Sequence, residues 1–70
     1  MSSAWHMTVR RGDQVRVKKS NPHWAGVVAD VLDVSVHGAQ LALYDRQPDV
    51  VKYEQSFWEW SELEPVQEQQ

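Results

Sequence analysis

The stretch Gln14-Val15-Arg16-Val17-Lys18 alternates polar and apolar residues, which places Val15 and Val17 on one face and predicts a half-buried strand. Ala25 to Leu32 carries too many β-branched residues for a comfortable helix and is read as the long central strand. Its apolar positions do not alternate cleanly. With Gly26 and Val28 inward, the next inward residue is Val31 rather than Asp30, and that three-residue step predicts a bulge. Gln40 to Tyr44 alternates again, with Leu41 and Leu43 together. A fourth strand is expected within Val50 to Trp60, interrupted near Gln55-Ser56, with Trp58 and Trp60 on one face and Phe57 and Glu59 on the other.

The breaks between these runs have turn chemistry. Gly12-Asp13 launches the first strand, Lys19 to His23 is a loop broken by Pro22, and His37-Gly38 is a tight turn. Asp45 to Asp49 forms a charged turn containing Pro48. Ser61-Glu62-Leu63-Glu64 has the form of a capping box, stopped by Pro65, which predicts one 3₁₀ turn followed by a short strand at Val66. Short strands, a bulged centre and a late 3₁₀ turn describe an all-β, five-stranded SH3-like barrel over residues 10–66. Residues 1–9 and 67–70 are expected as flexible tails, with Trp5 either folded back over the barrel or disordered.

Seventy residues make one domain, and a domain of that size buries only about 60% of the surface its unfolded chain exposes. Four tryptophans are the expected compensation. Without cysteine, neither a disulfide framework nor a thiolate metal site is available. The N-terminal residues lack the apolar segment of a signal peptide and no apolar run is long enough for a bilayer, so a soluble, cytoplasmic protein is expected. His6, His23 and His37 show no ligand spacing, no serine sits in a nucleophile elbow, and the isolated glycines form no phosphate-binding loop. An enzyme, a metal site and a cofactor are therefore not expected. Arg11-Gly12-Asp13 also spells an adhesion tripeptide, but its place before a strand makes it a turn.

Charge changes the picture more than composition does. The net charge of −3 is the sum of +4 over residues 1–19 and −7 over the remainder. Arg10, Arg11, Arg16, Lys18 and Lys19 thus form either a solvated face that protects an edge strand or a site for an anionic partner. Trp24, which follows a polar loop, and Phe57, which opposes the tryptophan face, are the aromatics expected to be exposed, although each could instead partly cover the barrel end. The candidate partner-binding set is Arg11, Arg16, Lys18, Lys19, His23, Trp24 and Phe57. The nine carboxylates after residue 19 favour an acidic protein over a nucleic acid as the partner.

Two stretches carry a resemblance. Arg11-Gly12-x-x-Val15-Arg16-Val17, Trp24 and Gly26-x-Val28-x-x-Val31 resemble the opening of the SH3-like stromal subunit IV of photosystem I. Trp58-x-Trp60-Ser61-Glu62-Leu63-Glu64-Pro65-Val66 is similar to the S and O subunits of the photosynthetic NAD(P)H dehydrogenase-like complex. The resemblance implies a non-catalytic accessory subunit on the cytoplasmic or stromal face of a thylakoid complex, using basic residues to help ferredoxin dock. It reaches Arg16 directly and Lys18 and Lys19 by proximity, and Glu59 departs from the basic residue expected before the acidic turn. The Gly26-x-Val28 signature is shared with KOW-type barrels, whose partners are RNA or ribosomal proteins; there Trp24 and Phe57 would serve as stacking platforms.

Overall fold

The computed structural model of the chain describes residues 4–46 and 51–66. Five strands run in the order β1 (Gln14–Val17), β2 (Val28–Val34), β3 (Gly38–Arg46), β4 (Val51–Glu59) and β5 (Leu63–Pro65). They form one antiparallel sheet, ordered β4-β3-β2-β1-β5, which is the expected SH3-like arrangement. No ladder joins β4 to β5 among the described residues, so both are edges.

The core comes from the inward positions of all five strands. Val15, Val17, Ala29, Val31, Ala39, Leu41, Leu43, Trp58 and Leu63 are buried, together with Trp24 from the β1–β2 loop. Small residues face large ones across the ladders: Ala29 pairs with Leu43, and Ala39 pairs with Trp58. That pairing lets an indole enter a domain too small for several large side chains in one layer. Burying each Val or Leu contributes about 1.5–3 kcal/mol relative to exposure. No polar side chain is buried among the described residues; the Trp58 indole N–H, which would otherwise lack a partner, donates to Ser56 Oγ at 2.8 Å.

Alternation in β1 and β3 places Val15, Val17, Leu41 and Leu43 inward as expected. The central strand differs. It begins at Val28, and Gly26 lies in the preceding turn with φ of 74°. Ala29 and Val31 point inward while Val28 faces out, and the register shift falls between Val31 and Asp33 rather than at Asp30. Val31 is inward as expected; because side chains alternate every residue, a strand with Val31 inward and no bulge before it turns Ala29 inward and Val28 outward. The small Ala29 is the inward residue because Leu43 occupies the space opposite.

β4 is continuous through Gln55 and Ser56, where an interruption was expected, and pairs in unbroken register from Gly38↔Glu59 to Arg46↔Val51. The 3₁₀ turn is Trp60–Glu62, capped two residues earlier than expected: Glu59 N–H donates to Glu62 Oε1 at 3.1 Å. Leu63, at 1% exposure, belongs to β5 opposite Val17, so its burial draws the last strand three residues ahead of Val66. Pro65 ends β5, where a missing N–H is tolerated on an edge.

Trp5–Thr8, expected within a tail, form a second 3₁₀ turn held by Thr8 Oγ1 donating to the Trp5 carbonyl at 2.8 Å. Trp5 folds back over the barrel and meets Trp60 edge to face, with centroids 5.8 Å apart. The expected turn at Asp45 to Asp49 and the tails at 1–3 and 67–70 lie wholly or partly outside the described residues.

Candidate functional site

The site is built where β1 ends. Lys18 N–H donates to the Glu62 carbonyl at 3.1 Å, tying the strand's exit to the 3₁₀ turn. The chain then folds on Asn21, whose Oδ1 accepts from the backbone N–H groups of His23 at 2.8 Å and Trp24 at 2.7 Å. An Asn side chain that satisfies two successive N–H groups substitutes for a backbone turn. Gly26 N–H donates to Val17 O and Val17 N–H to Val27 O, so the loop closes onto β1 before β2 starts.

This closure drives Trp24 inward. It is 7% exposed, which rules out the exposed aromatic and fits the alternative expectation that it covers the barrel end, because the Asn21 turn carries it toward the core. The stacking surface expected of Trp24 is instead occupied by Lys52 from β4, whose Nζ stands 4.7 Å from the ring centroid. The same ammonium donates to the His23 carbonyl at 3.3 Å. A cation over an indole is attracted by the ring's negative face, by about 0.5–1 kcal/mol near the surface.

Lys52 thus meets His23 and Trp24 of the expected set directly; Lys18 and Lys19 precede them in the same connection, Arg16 lies on β1, and Asp45 of β3 stands opposite Lys52 in the ladder. Lys52 is far from the other residues in sequence, and only the fold brings it there. Lys19 packs its stem beside Gly26. A groove of about 250 Å³ lined by Lys18, Ser20, Asn21, Pro22, Ser61 and Glu62 runs along this end.

Two expected members do not join. Arg11 lies before the opposite end of β1, in a turn where Gly12 N–H donates to Val31 O. Phe57 is 50% exposed, as expected, but lies on the outer face of β4 opposite Gln40. It shares that face with Tyr44 and Tyr53, which pair across β3 and β4 and are 51% and 59% exposed.

The basic segment is not uniformly positive once folded. β5 places Glu64 opposite Arg16, with guanidinium and carboxylate 3.7 Å apart. Both groups are partly solvated, at 26% and 35% exposure, so the pair contributes little stability. A double-mutant cycle with Arg16→Ala and Glu64→Ala is expected to give a coupling of about 0.2–1 kcal/mol by urea denaturation. A larger value would show that the pair is shielded from solvent.

Among the described residues no three His, Asp or Glu side chains converge as a metal site would require. No helix among them is long and apolar enough to cross a membrane. The burial of Trp24 removes one of the two platforms on which bases would stack. No protein-family model matches this chain, and no curated protein or solved structure matches it.

Proposed function

We propose that this chain is a non-catalytic protein-interaction module that receives an acidic partner at the end of the barrel formed by Lys18, Lys19, His23 and Lys52, with Arg16 alongside. The observation that carries this reading is the arrival of Lys52 from β4 against Trp24 and His23, which adds a cation to the basic run after β1. The flanking Glu62 and Glu64 make the surface mixed in sign, which suits a protein partner better than a continuous phosphate backbone. The resemblance to photosynthetic accessory subunits supplies the setting: a peripheral subunit of an electron-transfer complex, with ferredoxin as the acidic partner.

The test is an amide chemical-shift titration with ferredoxin at low salt, run in parallel with a short single-stranded RNA. Ferredoxin is expected to shift residues 16–24 and 52, with the shifts reversed by added salt. The double reversal Lys18→Glu with Lys19→Glu is expected to weaken binding at least about tenfold, chiefly through slower association. Equal binding by the reversed variant, or RNA shifting these amides while ferredoxin does not, would overturn the proposal.

A further inference from the structure

β4 is an edge strand of nine residues, Val51–Glu59, paired along its whole length with β3 on one side. Among the described residues, no backbone hydrogen bond from another element reaches its other side. Natural edges are normally blunted by proline, a bulge, short length or inward-pointing charge. Of these devices β4 carries only inward-facing charge, at Lys52, which is held over Trp24, and at Glu54; it contains no proline or glycine and has no register shift. Its outer face presents Tyr53, Gln55 and Phe57, all exposed. An edge of this kind is a template for a further strand.

The side-chain order of β4 is self-complementary. Pairing two copies antiparallel about a two-fold axis through Gln55 matches all nine residues with nine. It sets Tyr53 opposite Phe57 of the second copy twice over and the Gln55 amides opposite each other. Glu54 then faces Ser56, and no like charges oppose. Shifting the axis by one residue to Glu54 would place two carboxylates face to face, and shifting it to Ser56 would set Tyr53 against Glu59. Aromatic pairs across a ladder are favourable and like charges unfavourable, so the first of these three registers is favoured, and it also pairs the full length of the strand.

We infer that β4 is a homodimer interface, in which a second copy of this chain adds its own β4 across the two-fold axis at Gln55 to make one sheet of ten strands. Lys52 belongs to both β4 and the cationic end, but its side chain turns to Trp24 and His23, whereas the interface uses the backbone edge of β4 and its outer face.

The test is sedimentation velocity of the full chain from the micromolar range to about 1 mM. The wild-type protein is expected to dimerise within this range, with backbone amides of β4 gaining hydrogen-exchange protection as the dimer forms. Gln55→Lys and Gln55→Glu each place like charges on the axis, and each is expected to weaken self-association at least about tenfold. An equimolar mixture of the two should restore it, because the exposed position now pairs opposite charges. A protein monomeric throughout the range would overturn the inference, as would a dimer indifferent to both substitutions or a mixture that fails to associate. Ferredoxin binding by Gln55→Lys reports separately on the cationic end.

Discussion

Replacing Trp24 by alanine is expected to lower the unfolding free energy by about 3–5 kcal/mol, the range for removing a buried aromatic and leaving a cavity. A chain of 70 residues has a total stability of roughly 4–10 kcal/mol, so this variant should be largely unfolded or have a sharply reduced urea midpoint. Two losses add. The indole fills the open side of the sheet at 7% exposure, and its ring face holds Lys52 at 4.7 Å. Phe57→Ala is the control: at 50% exposure on the outer face it should cost about 1 kcal/mol or less. Circular dichroism in urea reads both, with the midpoint moving and the slope preserved. Comparable losses from the two substitutions would contradict the placement of Trp24 in the core.

Gly38→Ala is expected to cost about 3 kcal/mol by steric collision. Gly38 opens β3 opposite Glu59, and a Cβ there would run into the Trp58 carbonyl oxygen and sit 2.9 Å from the Glu59 Cα. Both are backbone atoms of the facing strand and cannot rotate away, so β3 and β4 must separate near Trp58. Gly26→Ala supplies the contrast. Its nearest obstacle is the flexible Lys19 stem at 3.9 Å, but its φ of 74° disfavours a side chain, which costs about 1–2 kcal/mol. Gly38→Ala should therefore be the more damaging of the two in urea denaturation, and the reverse order would show that backbone conformation outweighs the close approach.

The cationic site and the dimer edge place different demands on one strand. Lys52 points inward toward Trp24, while Tyr53, Gln55 and Phe57 line the outer face. Alternation along β4 therefore lets one strand contribute to the cationic end without removing a side chain from the proposed interface.

Strict alternation in Gln14–Lys18 and Gln40–Tyr44 is enough to find β1 and the middle of β3, with Val15, Val17, Leu41 and Leu43 inward but not Ala39, because a strand with one wet face repeats every two residues whatever surrounds it. Turn chemistry at Gly12-Asp13, Pro22 and His37-Gly38 separates the strands for equally local reasons. The facing of β2 required tertiary structure, since Val28 and Ala29 are both acceptable inward residues until Leu43 stands opposite one of them. Trp24 follows a polar loop and reads as exposed; only the Asn21 turn and the open side of the sheet show where its indole goes. The basic run after Gly12 is visible in the chain, but its partial neutralisation by Glu64 and its extension by Lys52 come from β5 and β4. Local periodicity thus determined which residues form strands. Pairing between distant segments decided which face is buried and which charges meet, because those energies exist only after strands far apart in sequence lie side by side.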